Sequence, residues 1–246
     1  MAIKNKSIID VTKRNDPYFE EYITRSVYHS NAIEGNTLSY YETYQVLFNC
    51  SSDEKISSVK PRDLYEAINL KYAMDFILKN LYESITPEFI IKICKFISKN
   101  IKEIDSFRKG PVAILGAEHI PPDAADVPQL INELLYTSFK TNDFLQDLAE
   151  FHIRYERIHP FGDGNGHSGR VLLNKIALEN GYPPFVIVKD VRTTYMNMLA
   201  DCNVEALKKL IRTMMLEEIN RMKTFCIDTS RFSNIFDEGA PRQIEI

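Results

Sequence analysis

The 246-residue sequence has no tryptophan, only 9 glycines and only 4 cysteines, and each shortage removes a class of protein. Glycine at roughly half of the ~7% of average usage disfavours a turn-rich β architecture and excludes collagen-like repeats. Cys50, Cys94, Cys202 and Cys226 are far apart and form no C-x-x-C pair. A disulfide framework is therefore excluded, and the four read as small apolar fillers in a reducing compartment. No apolar run approaches the ~20 residues of a membrane span, and the opening MAIKNKSIIDVTKRND lacks the apolar core of a secretory signal. The expectation is a cytoplasmic protein. Basic charge is also short: 30 Lys and Arg stand against 34 Asp and Glu, for a net charge of -4. That balance offers no global attraction for nucleic acid or an anionic membrane, so neither is expected as a partner, and only a local basic site stays open.

Apolar residues make up 44% and charged residues 26% of the chain, enough to bury a real core in one or two domains. Apolar periodicity and punctuation then predict helices. The first runs from Pro17 to Ala32 and closes at Gly35. Ser39 and Glu42 have capping-box spacing and open a second, to Phe48. Ser51 to Lys60 is polar and reads as a loop. A third helix is expected over Arg62–Lys79, and Thr86-Pro87-Glu88 caps a fourth.

The pattern breaks at Lys109-Gly110-Pro111, where Val112, Ala113, Ile114 and Leu115 form a short β-prone piece before Ile120-Pro121-Pro122; a small hairpin is expected there. Helical patterning resumes over Asp126–Phe139, Asp143–Ile158, Asn165–Asn180, Val191–Ala200 and Val204–Phe225, and Ser230–Ile246 reads as a tail without periodicity. The reading is an all-α fold with one small β-hairpin. The N-terminal helices of residues 1–60 pack on the same globule as a core of residues 61–226, followed by a tail of residues 227–246.

Composition is grossly uneven only at residues 159–170, HPFGDGNGHSGR, which hold four of the nine glycines and two of the five histidines. Gly164-Asn165-Gly166 at the start of a helix lets backbone N–H groups converge where the helix dipole is positive, a site for phosphate. Arg170, one turn further, offers a guanidinium fork to a second phosphate. Asp163 supplies a hard oxygen suited to Mg²⁺. His159 is the side chain with a pKa suited to taking a proton near neutrality. Together they suggest transfer of a phosphorus-containing group.

This segment resembles the signature of the Fic-type (Fido) AMP-transferases, H-x-F-x-D/E-G-N-G-R-x-x-R. AEFHIRYERIHPF before it, KGPVAILGAEHIPP and DVPQLINEL further upstream, and GYPPFVIV after it are also similar to that family, so the likeness covers most of residues 20–220. The resemblance implies that His159 deprotonates a target hydroxyl, which attacks the α-phosphate of ATP and expels pyrophosphate. Gly164, Asn165 and Gly166 would hold the α-phosphate, Asp163 the Mg²⁺ and Arg170 the γ-phosphate, with Phe161 buried as an anchor and Tyr195 and Asn203 as candidates for the adenine pocket. Val112, Ala113, Ile114 and Leu115 would form the flap on which an extended target segment docks by strand addition. The implied partners are ATP and a protein with an exposed Tyr, Thr or Ser hydroxyl, with self-modification and a homodimer both left open.

Ser30-Asn31-Ala32-Ile33-Glu34-Gly35-Asn36 also matches the family's inhibitory pattern, S/T-x-x-x-E-G/N. Ser30 and Glu34 would then sit at a helix end, with the Glu34 carboxylate forming a bidentate pair with Arg170 in place of the γ-phosphate. One departure stands out: His167 occupies the position of the signature's first arginine. A neutral imidazole offers one donor instead of a fork of five, which weakens the phosphate clamp unless His167 is protonated or another basic residue substitutes. Readings of other classes stay open: a Glu34-dependent phosphodiesterase that removes AMP, a kinase-like phosphotransferase, and a nucleotide-binding module without turnover. His152 reads as a packed or capping histidine, and His29 and His119 as surface or flap residues.

Overall fold

The computed structural model describes residues 17–48, 59–114 and 118–236. Capping chemistry starts the helices where the sequence places it. The Ser39 backbone N–H donates to the Glu42 carboxylate at 2.8 Å, and Ser39 Oγ accepts from the Glu42 N–H at 3.2 Å, closing the box that opens α2 (Tyr40–Phe48). Thr86 Oγ1 accepts from the Phe89 N–H ahead of α4 (Pro87–Ser98), and Asp143 accepts from Gln146 ahead of α6 (Phe144–Ile158). Caps of this kind contribute about 1 kcal/mol each. The remaining helices are α1 (Pro17–Ile33), α3 (Pro61–Lys79), α5 (Val127–Thr137), α7 (Asn165–Glu179), α8 (Arg192–Ala200) and α9 (Val204–Thr224).

Helix α7 is the axis of the fold. From Asn165 to Leu178 every residue but Gly166 is buried, as expected of a helix enclosed on all sides. Helices α1, α3, α4 and α6 pack around it, and α9 packs on α6. Even Lys175 is fully buried, its ammonium donating to the Leu81 carbonyl and the Glu179 carboxylate, both at 2.9 Å. The Asn174 side chain pins the Phe185 backbone through both its amide atoms and accepts the Tyr22 hydroxyl at 3.0 Å.

Helix α1 belongs to the same core. Its Ile23, Val27 and Ile33 are fully buried, and Arg25 and Tyr18 both bind the Glu218 carboxylate of α9, at 2.7 Å each. Its end is fixed as well. Arg192 Nε donates to the Ile33 carbonyl at 2.6 Å, and Asn36 Nδ2 donates to the Glu66 carboxylate of α3 at 2.8 Å. Phe232 and Ile235 pack into the core, so the first residues of the expected tail are a strap; residues 237–246 and most of the 51–60 loop lie outside the described residues.

The expected hairpin is the one element that does not form among the described residues. Val112, Ala113 and Ile114 have no regular secondary structure, and Leu115 lies outside the described residues. Prolines at 111, 121 and 122 remove three ladder donors at the base of the loop. Arg108 does the joining instead: its guanidinium donates to the Gly110 carbonyl at 3.1 Å and to the Pro122 carbonyl on the other side. No helix among the described residues is long and apolar enough to cross a membrane.

Candidate active site

Two helix ends and one loop meet at the start of α7. His159 ends α6 with a left-handed backbone, φ 49°, a conformation uncommon outside glycine and frequent where a side chain is held for use. Its Nδ1 lies 3.2 Å from the Glu156 carbonyl, an acceptor, so Nδ1 carries the ring proton and Nε2 keeps a free lone pair. Burial and the nearby Arg108 charge hold the imidazole pKa below its ordinary value, the Glu156 carbonyl opposing. The ring is neutral at pH 7.

The loop after it is tied from within. Phe161 is fully buried against Phe107, and Asn165 holds the Phe161 backbone from both sides, accepting its N–H and donating to its carbonyl at 2.9 Å. The Asn165 side chain thus shapes the loop, leaving its backbone N–H for a ligand. Gly164 turns the chain at φ 79°, where a Cβ would also meet Ile97 at 3.1 Å. Its N–H is spent on Asp163 Oδ1 at 2.8 Å. The donors facing an anion are therefore those of Asn165, Gly166 and His167, since no side chain caps α7.

Asp163 is partly exposed, and its other oxygen receives Arg62 Nη2 at 3.0 Å. Among the described residues no group of three or more His, Cys, Asp or Glu gathers around a common point. A lone carboxylate beside a phosphate cradle fits Mg²⁺, which keeps waters and phosphate oxygens as its other ligands.

Arg170 is buried beneath this surface. Nε donates to Ser30 Oγ at 2.9 Å, and Nη2 donates to the Ser30 carbonyl at 3.2 Å and to Glu34 Oε1 at 2.8 Å. The pair is single-pronged where a bidentate one was expected. Ser30 takes one edge of the fork, and Nη1 has no partner. Burial opposes ionisation of Glu34, yet Arg170 holds its carboxyl below the usual range. The carboxylate lies so close to α7 that a Cβ on Gly166 would fall 2.2 Å from Oε1. A carboxylate thus sits where the α7 dipole is positive.

His167 faces the same helix. It is buried, with Nε2 2.9 Å from Asn31 Oδ1, and burial keeps its pKa down despite Glu34. It is neutral, and its donor is spent on α1. Tyr195 is fully buried, with its hydroxyl 2.6 Å from His152 Nε2, which makes His152 a packed residue as expected. Asn203 caps α9 by accepting from the Ala206 N–H at 3.0 Å and lines neither cavity at the site.

Those cavities flank the Glu34–Arg170 pair. One, of about 440 Å³, is lined by Arg62, Asp163 and residues 164–167. The other, of about 500 Å³, is lined by Ile114, His119, Glu156, Arg170 and Tyr195. Glu34, Ala113, His159 and Gly166 line both.

Sequence reasoning missed Arg108, Arg62, Asn31 and Glu156. Besides closing the loop, Arg108 Nε donates to the His159 carbonyl at 2.9 Å, joining residues 51 positions apart. Glu156 is buried with Oε1 unpaired against Gly169, and burial pushes its carboxyl up to about 8. The only available signal was a Glu in the amphipathic helical stretch just before His159.

The Fic/DOC family model matches residues 84–177. The chain is 30% identical over 202 residues to protein adenylyltransferase Fic of Aedes aegypti, covering 78% of this chain and 39% of that one. It is 27% identical to the Nematostella vectensis protein of the same name, covering 78% and 46%. The chain thus spans about two fifths of the length of the curated relatives it matches first. Among solved structures, Fic-1 of C. elegans superposes with a TM-score of 0.71 at 26% identity, over 83% of this chain and 64% of that one. A Fic domain-containing signalling protein of Bacteroides thetaiotaomicron superposes at 0.72 with 21% identity, over 87% and 91%, a likeness of fold.

Proposed function

We propose that this chain, which carries a Fic/DOC family domain, is a protein adenylyltransferase that moves AMP from ATP to a Tyr, Thr or Ser hydroxyl and is held back by Glu34. The observation that carries the reading is the free Nε2 lone pair of His159 beside the unpaired N–H groups that open α7. Nε2 takes the proton of the target hydroxyl, the oxygen bonds to the α-phosphorus, and the bond to the β-phosphate breaks, releasing pyrophosphate. Asp163 would hold Mg²⁺, which neutralises phosphate charge when bound. The N–H groups of Asn165, Gly166 and His167 orient the α-phosphate, and Arg170 receives the γ-phosphate once Glu34 withdraws.

The target would enter along residues 111–114, whose backbone is unpaired among the described residues and whose Ala113 lines both cavities. An extended segment pairing there gains main-chain hydrogen bonds and places its hydroxyl near His159. Arg108, buried at the root of the loop, fixes that position.

A second reading rests on Glu34 itself. Its carboxylate lines both cavities, is 34% exposed and spends one oxygen on Arg170. The other oxygen is placed to orient a water, so the same site would release AMP from a modified hydroxyl. Incubation with ATP labelled at the α-phosphate tests the first reading: label on protein should rise in Glu34→Gly over wild type and vanish in Glu34→Gly/His159→Ala. Equal labelling in all three contradicts it. Free AMP released from a modified protein by wild type, and not by Glu34→Gly, would favour the second.

A further inference from the structure

The family signature puts an arginine at position 167, and here that charge is missing. His167 is buried, neutral and committed to Asn31, so it supplies no cation to a triphosphate. Cations from other elements line the same cavity, Lys60, Arg62 and Lys102, and of these Arg62 is the one bonded to Asp163. Arg62, in the first turn of α3, donates Nη2 to Asp163 Oδ2 at 3.0 Å and Nε to Glu66 Oε1 at 2.7 Å.

We propose that Arg62 is the phosphate-binding residue that replaces the absent arginine, passing from the Asp163 carboxylate to the outer phosphates of ATP when nucleotide binds. The proposal rests on the reading of the chain as an ATP-dependent transferase.

Geometry makes the transfer short. Asp163, which would hold the Mg²⁺ that neutralises phosphate charge, is the residue the Arg62 guanidinium already touches at 3.0 Å, so phosphates bound beside it would lie within reach of the fork. The charges drive it the same way. With Mg²⁺ held there, Asp163 would have less charge to offer the guanidinium, while a polyphosphate offers oxygens that match its planar fork. The side chain is free to turn, with 59% of its surface exposed. Glu66 keeps it at the cavity mouth, and Glu66 is itself fixed by Asn36 at 2.8 Å.

The tether also specifies which ligands should feel it. AMP, with one phosphate over the α7 N–H groups, leaves the fork without an outer oxygen to bind. ATP engages it. Loss of Arg62 should therefore weaken ATP selectively.

Calorimetric titration of ATP and of AMP, each with Mg²⁺, into Glu34→Gly and into the same protein carrying Arg62→Ala or Arg62→Lys tests this. The expected result is ATP affinity falling about 10-fold in Arg62→Ala, a change of about 1.4 kcal/mol, with Arg62→Lys in between because a point charge keeps part of the attraction. AMP affinity should change less than about 2-fold, and the melting temperature should barely move, since exposed ion pairs add little to stability. Unchanged ATP affinity in Arg62→Ala overturns the proposal. So does tighter ATP binding, the outcome if Arg62 merely competes with Mg²⁺ for Asp163, and so does an equal loss for ATP and AMP. Absence of ATP binding by Glu34→Gly itself overturns the functional reading and this proposal together.

Discussion

Glu34 Oε1 lies 2.8 Å from Arg170 Nη2 and rests against the backbone of Gly166 at the start of α7. One carboxylate therefore occupies both the cation and the N–H surface that a phosphate would need. It reaches this place because α1 is buried in the core and the chain at its end is bound by Arg192 and Glu66, so the position of Glu34 is part of the packing.

Ser30 shares the hold on Arg170 through both its hydroxyl and its carbonyl. Ser30→Ala removes one charge-assisted hydrogen bond, about 1.5–3 kcal/mol when buried, and leaves Glu34 in place. Self-labelling with α-labelled ATP should rise several-fold over wild type while staying below Glu34→Gly. Labelling equal to Glu34→Gly would mean that Ser30, and not the carboxylate, carries the restraint.

Arg108 connects the 110–122 loop to the His159 carbonyl. Arg108→Ala leaves several partly buried carbonyls without their donor, a loss of about 1 kcal/mol for each hydrogen bond. The expected outcome is a lower melting temperature and at least a 10-fold loss of transfer to a peptide target in the Glu34→Gly background. ATP affinity should stay within about 2-fold. A parallel loss of ATP binding would show that Arg108 supports the nucleotide site as a whole.

The pH dependence of transfer follows from His159. Burial, the first cause, depresses its pKa below the ordinary 6.5, so the neutral base persists as pH falls through 6.5 and is lost only below it. The kcat of Glu34→Gly should therefore be nearly flat from pH 8 to 7 and fall by tenfold per unit on an acidic limb whose midpoint lies below 6.5. A midpoint above pH 7 would contradict a neutral buried base.

Glu156 predicts a stability effect of opposite sign. Burial raises its pKa to about 8 from an ordinary 4.5. The folded chain then holds a proton that the unfolded chain has lost, and that stabilisation is full below pH 4.5 and disappears as pH rises through 8. Glu156→Gln removes the titration, so the variant should exceed wild type in melting temperature by roughly 5 °C at pH 9 and by much less at pH 6. Equal differences at the two pH values would place Glu156 ionised at both.

Much of the fold was legible because helix caps and apolar periodicity are local. Ser39 with Glu42, Thr86 with Phe89 and Gly35 after α1 act within four residues, and the observed boundaries follow them. The loop at 110–122 departs from the expected hairpin among its described residues for a physical reason. Val112, Ala113 and Ile114 carry strand propensity, but pairing depends on donors that the flanking prolines remove and on a distant arginine. The site divides along the same line. His159, Asp163 and Gly164–Gly166 stand together in sequence, and their chemistry showed there. Arg62, Arg108 and Asn31 reach the site across 101, 51 and 136 positions, and nothing in their own neighbourhoods marks them.

Under the proposed function, His159 directs transfer of AMP and Glu34 restrains it. Mass spectrometry of a hydroxyl-bearing target, or of the protein itself, after incubation of Glu34→Gly with ATP and Mg²⁺ tests it most directly. The expected result is a gain of one AMP per modified side chain, absent when His159→Ala is added and far weaker with Glu34 present. A gain of a single phosphate, or AMP addition that persists without His159, would contradict it.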